Sequence, residues 1–234
     1  MKRCLRHAAF TLVEIVVAVG ITAVLAALSL TIVTHTLGIW EKSASALTME
    51  NRAQLVMDRL VVDWESAVVR RDGGEWIRWE GTNHAVTELR LFTNTRTTSG
   101  DAAEPHTIRE VVYVTSSGAD GRKLYRWEGT ASAALTSGYA FSDPVAVTSI
   151  EFLITEGLME LTLEWFDEDG VVIDTPTPAN WPALTKISVT LISELGAQRL
   201  AAVANGDSAE PIDDIQRDTT QTYTRWVNFP GRPW

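Results

Sequence analysis

The first 72 residues carry the pattern of one long helix. Residues 15–34 contain no charged side chain, and residues 38–72 show apolar positions mostly three or four apart with charged residues between them. At a rise of 1.5 Å per residue, about 20 uncharged residues span about 30 Å, the thickness of a bilayer hydrocarbon core. We therefore expect a helix whose first part, residues 10–37, crosses a membrane and whose second part, residues 38–72, is amphipathic and ends before two glycines.

Beyond residue 73 the apolar pattern changes to a period of two, which is typical of β-strands. The strands predicted by this alternation are residues 88–92, 108–115, 123–128, 145–154, 160–166, 171–173 and 184–193. Turns rich in Gly and Asp are predicted between several of them, including one at residues 155–157. The sequence thus predicts an α+β fold, in which an antiparallel β-sheet domain of residues 73–195 packs on the second part of the helix. Residues 196–234 are predicted to form an acidic surface tail whose terminal aromatic side chains dock on the domain.

Charge is distributed unequally along the chain. Lys2, Arg3 and Arg6 give the first nine residues a charge of +3, and the remaining residues carry −13. The basic flank predicts a cytoplasmic N-terminus, with everything after the apolar stretch on the other side of the membrane. An acidic body without a basic stripe repels phosphate backbones, so we expect no nucleic-acid partner.

The apolar stretch alone is also compatible with a cleaved secretory signal peptide. Such peptides usually have a shorter apolar region, of about 7–15 residues, followed by a small-x-small cleavage site. Ala26, Ala27 and Ser29 imitate such a site. Glu14 favours a different interpretation, because a charge deep in a bilayer costs about 2.5–3.5 kcal/mol on insertion scales and somewhat less near an end. A carboxylate at the mouth of the apolar stretch therefore indicates a partner.

A resemblance to a known family is carried by residues 9–14, AFTLVE, ahead of the apolar helix. The string resembles the class III leader of type IV pilins and of type II secretion pseudopilins. The resemblance implies that a prepilin peptidase cuts between Ala9 and Phe10, removes residues 1–9 and methylates the new amino group of Phe10. It also implies that Glu14 pairs with the N-terminal amine of a neighbouring subunit, which would offset much of the cost of burying either charge. The family nearly always has Gly where this chain has Ala9.

Two further stretches are similar to the J-type minor pseudopilins. Residues 52–64 resemble the end of the long helix in that subfamily, where apolar and Arg positions lead to an Asp bound to a strand. Residues 161–166, the acidic turn after them and residues 184–191 resemble its closing hairpin. The resemblance implies a structural subunit of a filament-tip complex, with other minor pseudopilins as partners. Such a subunit would span the inner membrane once and hold its C-terminal domain in the periplasm. A minor type IV pilin and a signal-anchored periplasmic binding domain are the alternatives.

Catalytic and metal-binding patterns are scarce in this sequence. Cys4 lies in the predicted leader, and His84 and His106 are the two histidines of the predicted domain, without an HExxH, GxSxG or Walker A motif. The acids of residues 167–170 and Asp174 suggest calcium, but their Gly is at the fourth rather than the sixth position. Asp-Gly between apolar strands is a strong turn signal. We therefore expect a turn there, and no enzymatic activity, cofactor or metal.

Overall fold

The computed structural model describes residues 11–68, 77–95, 107–116, 122–130, 153–174, 176 and 182–228. The chain divides into two compact units, Met1–Leu47 and Thr48–Trp234. The helices of the described residues are α1 (Leu12–Glu65), α2 (Glu194–Ala204) and α3 (Ile212–Thr219). Their strands are β1 (Ile77–Thr82), β2 (Ala85–Thr95), β3 (Thr107–Ser116), β4 (Arg122–Thr130), β5 (Leu153–Phe166), β6 (Val172–Ile173), β7 (Leu184–Ile192) and β8 (Thr220–Asn228).

The part of α1 in the first unit is long and apolar enough to cross a membrane. An 18-residue stretch within it has this character, and none of it is buried in the structure. Five hydroxyls in this part donate to backbone carbonyls three or four residues earlier, at 2.8–3.0 Å: Thr22, Ser29, Thr31, Thr34 and Thr36. Since lipid offers no hydrogen-bond partners, these internal bonds remove the cost of placing the hydroxyls in a bilayer.

The second unit packs the remainder of α1 on one face of an antiparallel sheet, which confirms the predicted α+β fold. The strand order is β1-β2-β3-β4-β5-β7-β8, with β6 beside β5 and a further pairing of β2 with β5. The apolar side chains that α1 buries against the sheet recur three or four apart: Ala53, Val56, Met57, Leu60, Val61 and Trp64. Full burial of a large apolar side chain contributes about 1.5–3 kcal/mol, so this stripe anchors the helix.

Helix α1 ends at Glu65, earlier than the predicted end at residue 72. The chain leaves the helix because its backbone pairs with β2: the Val68 N–H donates to the Phe92 carbonyl at 2.6 Å, and the Asn94 N–H donates to the Ser66 carbonyl at 2.9 Å. Apolar periodicity gives no signal of such a backbone contact. The glycines expected to end the helix lie outside the described residues.

Strand β5 shows that the predicted turn at residues 155–157 is wrong. The chain continues through this segment as part of Leu153–Phe166, which pairs with β4 on both sides of Gly157 and with β7 from Leu158 onward. Gly157 has φ of +73°, and the register of β5 shifts beside it. A glycine with positive φ serves a β-bulge as well as a turn, so the sequence signal was ambiguous. Residues 145–152 lie outside the described part.

The hairpin of β3 and β4 confirms the two strands predicted on either side of residues 116–122. The first hairpin of the sheet was only half predicted, because β1 has no clear alternation. Strand β1 is joined to β2 by a turn at Asn83 and His84, whose φ angles are +51° and +66°. Two successive positive φ values are the requirement of the tight hairpin turn whose twist matches its strands.

The C-terminal region is folded rather than a surface tail, so that prediction is wrong. After residue 193 the chain forms α2 and α3, and β8 then pairs with the whole of β7, from Leu184↔Asn228 to Ile192↔Thr220. The sequence gives little sign of this folded region, because it contains few buried apolar side chains. Ile215 is the buried apolar residue of α3, and backbone pairing with β7 supplies much of the remaining attachment. The Trp226 ring lies 5.0 Å from the Phe166 ring, whereas residues 229–234 lie outside the described part.

The packing of α1 on the sheet makes a prediction for two leucines of one helix. Leu60 is 1% exposed and Leu55 is 58% exposed. We expect Leu60→Ala to lower the free energy of unfolding by about 2–5 kcal/mol, because it leaves a cavity. Leu55→Ala, the matched control, should change it by less than about 0.5 kcal/mol. Denaturant titration of the detergent-extracted chain, followed by tryptophan fluorescence, measures both, and equal losses would contradict the packing.

Candidate functional site

A capping box closes the start of α1. The Thr11 N–H and hydroxyl both donate to Oε2 of Glu14, at 3.0 and 3.1 Å, and the Glu14 N–H lies 3.3 Å from the Thr11 hydroxyl oxygen, which accepts from it. The first N–H groups of a helix have no partner within it, so this reciprocal pair satisfies two of them. The Thr-x-x-Glu spacing is the sequence signature of this box. Glu14, which the sequence indicated only as an assembly carboxylate, therefore also has a capping role.

Glu14 keeps one oxygen for another partner. Its Oε2 atom is used by Thr11, and Oε1 accepts no hydrogen bond from any described residue. The side chain is exposed in the first turn of α1, next to the apolar stretch. An amine brought to this point would meet a carboxylate already oriented by the cap. Ala9 and Phe10 lie outside the described residues, so the cleavage between them, the methylation of Phe10 and its pairing with Glu14 stay predictions.

A buried carboxylate joins α1 to the sheet in the second unit. Asp63, which is 0% exposed, receives two hydrogen bonds from the Arg126 guanidinium of β4: Nε to Oδ2 at 2.7 Å and Nη2 to Oδ1 at 3.0 Å. The Tyr113 hydroxyl of β3 also donates to Oδ2. A charge out of water is tolerated only when it is paired and hydrogen-bonded, and a bidentate Arg–carboxylate pair is among the strongest ways to do so.

A second carboxylate extends this cluster towards the surface. Glu128 accepts from Arg126 and from Arg109 at 2.8 Å each and lies 3.5 Å from Arg59 of α1. Burial by itself raises the pKa of Glu128, but the hydrogen bonds and charges of Arg126 and Arg109 outweigh it and hold this pKa below its ordinary value. Each carboxylate of the cluster is thus paired with at least one guanidinium, and such an arrangement attaches the helix rather than supplying a free reactive group.

The tyrosine of this cluster has a strongly perturbed pKa. Burial raises the pKa of Tyr113 well above its ordinary value, and the neighbouring Asp63 carboxylate raises it further. Both effects favour the neutral hydroxyl, which is the form that donates to the carboxylate. Neutral Tyr113 therefore stabilises the fold at ordinary pH.

The other polar residues considered for metal binding serve turns. Asp167 Oδ1 accepts from the Asp169 N–H at 3.0 Å and from the Val171 N–H at 2.7 Å, which confirms the predicted turn between β5 and β6. His84 lies in the turn before β2, with its ring 6.4 Å from the Trp165 ring. Among the described residues, no group of three or more His, Cys, Asp or Glu is placed to hold a metal ion. His106 lies outside them.

The buried cluster predicts a pH-dependent effect of Tyr113→Phe. Near pH 7 we expect this substitution to lower the free energy of unfolding by about 1–3 kcal/mol, because the buried Asp63 carboxylate loses a hydrogen-bond donor. The folded pKa of Tyr113 is raised, so its contribution is complete below the unfolded pKa near 10 and declines as pH rises through the folded value. The stability of the parent chain should therefore fall more steeply above pH 10 than that of the variant. Denaturation midpoints at neutral and alkaline pH measure this, and parallel slopes would refute it.

Comparison with known proteins supports the interpretation of the N-terminus. Residues 4–30 match the family model of the prokaryotic N-terminal methylation motif. No curated protein matches the chain. The matched segment contains the predicted cleavage site, the capping box and the start of α1. Such a motif, at the head of a long apolar helix that packs on an antiparallel sheet, supports a type IV pilin-like precursor that is processed by a prepilin peptidase and assembles with other pilins.

Proposed function

We propose that this chain is a minor pseudopilin of the J type, a non-enzymatic structural subunit at the tip of a type II secretion pseudopilus. The methylation motif of residues 4–30, continuous with the 54-residue helix α1, is the observation that carries the proposal. The subunit is held in the inner membrane by the apolar part of α1, with its N-terminus in the cytoplasm and its sheet domain in the periplasm. Its partners are the prepilin peptidase and the other minor pseudopilins.

Assembly follows from the chemistry of the helix start. A cut after Ala9 frees the amino group of Phe10, four residues before Glu14. The amine of one subunit pairs with the Glu14 carboxylate of the next, so that two charges which are costly in lipid neutralise each other. The cap from Thr11 supports this role, since it orients the carboxylate and leaves Oε1 available.

The attachment of α1 to the sheet supports the same role. In the J-type resemblance, an Asp near the end of the long helix is bound to a strand, and Asp63 is bound to β3 and β4. A filament subunit is moved by its helix and must carry its domain with it. The buried ion pair resists displacement of the helix along the sheet, because a small shift would leave Asp63 or Arg126 buried without its partner.

The mass of the N-terminal peptide of the membrane-extracted protein tests the processing. We expect it to begin at Phe10 and to carry one added methyl group. A peptide that begins at Met1 would contradict processing and leave a signal-anchored domain. Cleavage after the apolar stretch would instead indicate a secreted protein.

The capping box allows the charge of Glu14 to be tested separately from its hydrogen bonds. Glutamine also serves as the capping residue at this position, so Glu14→Gln keeps the helix start but removes the charge. We expect Glu14→Gln and Glu14→Ala to be processed normally and to lose subunit cross-links in the membrane.

Thr11→Ala is the matched control, because it keeps the charge and weakens the cap by about 0.5–2 kcal/mol. It should retain assembly. Normal cross-linking of Glu14→Gln would show that the carboxylate acts only as a cap and would overturn the amine-pairing step.

A further inference from the structure

One corner of the sheet carries exposed apolar side chains on the face opposite α1. On β5, β6 and β7 the apolar residues facing α1 are buried, as is Val227 of β8, and the residues alternating with them point the other way. Cross-strand pairing brings these outward side chains together, because Phe166 pairs with both Val172 and Leu184, and the Phe166 ring contacts the Trp226 ring at 5.0 Å. We call this set, with the adjacent Val171, the apolar corner: Phe166, Val171, Val172, Leu184 and Trp226.

Four of the five side chains of the apolar corner are exposed, and that of Phe166 is half-buried. Val171 is 60% exposed, Val172 48%, Leu184 36% and Trp226 55%. The rest of this face on β5, β7 and β8 carries polar cross-strand pairs: Glu164–Lys186 at 3.0 Å, Ser188–Thr224 at 3.1 Å and Thr190–Thr222 at 2.9 Å. An exposed apolar centre that contains a Trp and has a polar rim is the arrangement of a protein-binding surface.

The acidic residues beside the apolar corner indicate which kind of partner binds there. Residues 167–174 carry four acids and no base, and they include the two exposed valines. A second copy of this chain on a two-fold axis would bring two such turns together, and the chain as a whole carries −10. Anionic lipid is repelled for the same reason. Charge complementarity therefore requires a partner with bases at the rim of its own apolar surface.

We propose that the apolar corner docks a different protein subunit, which presents an apolar cluster bordered by Lys or Arg. The proposal rests on the proposed function for the identity of that subunit, another pilin-like chain in the same membrane. Five side chains make a small contact compared with the roughly 800 Å² per partner of a stable interface. Tethering both chains to one membrane raises their effective concentration, so that a small contact is sufficient.

Site-specific photo-cross-linking of the full chain in intact cells tests this surface. A photoreactive amino acid replaces Val172, and Ile212, an exposed apolar residue of α3, is the matched control position. We expect an adduct at position 172 and not at position 212. The cross-linked peptide should contain apolar residues flanked by Lys or Arg and should come from a chain with its own methylation motif.

Charge reversal tests the selection of the partner. Asp169→Lys with Asp174→Lys should reduce the adduct about tenfold or more, because bases would then face bases. Asp207→Lys with Asp213→Lys makes the same change in net charge away from the corner and should leave the adduct intact. Trp226→Ser should also reduce it, and Leu195→Ser, at another exposed apolar position, should not.

Three results would overturn the docking surface. The first is a yield of adduct at position 172 that does not exceed the yield at position 212. The second is an adduct with a second copy of this chain or with lipid. The third is a yield that reversing the charges of Asp169 and Asp174 leaves unchanged. Failure of the proposed function has a different signature. An adduct of the expected chemistry with a chain that lacks the methylation motif keeps the surface and overturns the pseudopilus assignment. The opposite case is also distinguishable. If the chain starts at Phe10 and Glu14→Gln blocks assembly, but no adduct forms at position 172, the docking surface is wrong and the proposed function stands.

Discussion

The carboxylate of Asp63 has to be paired wherever it is buried, and the arrangement of the second unit depends on this requirement. Its pairing with Arg126 and Tyr113 brings β3 and β4 under the last turns of α1. The apolar stripe holds the helix on the sheet, but apolar contacts are not directional and define its position less sharply than an ion pair does. The bidentate ion pair has one good geometry, so it sets the position of the helix that the stripe holds in place.

The two parts of α1 meet different demands with one continuous backbone. In the apolar stretch of the first unit the side chains are exposed, and hydroxyls among them, such as those of Thr22 and Ser29, are satisfied by the helix itself. In the second unit the buried apolar side chains form a stripe, and the charged residues other than Asp63 lie among the less buried positions. The helix also begins with its own cap. The carboxylate of Glu14 thus has a structural role in the single chain, in addition to the proposed role between chains.

Features that local pattern determines were predictable from the sequence. The apolar stretch, the stripe of α1, and the alternation in β3, β4 and β7 all depend on the spacing of neighbouring side chains, and the structure confirms them. The errors occurred where a distant backbone decides the local conformation. Helix α1 ends where Val68 pairs with β2, and Gly157 is a bulge because β4 and β7 pair with one continuous β5. The C-terminal strand is held by β7 although its own sequence is polar.

Hydrophobic period and short motifs are properties of neighbouring residues, so three features could be predicted from the sequence: an N-terminal segment long and apolar enough to cross a membrane, its methylation motif, and the α+β class. Only the assembled fold brings Asp63 to Arg126, completes the domain with residues 196–228, and places Trp226 and Phe166 with three aliphatic neighbours in the apolar corner. These contacts join residues far apart in the chain, 63 positions in the case of Asp63 and Arg126. No local pattern encodes them, because strand order and register bring such residues together only when the whole sheet has formed.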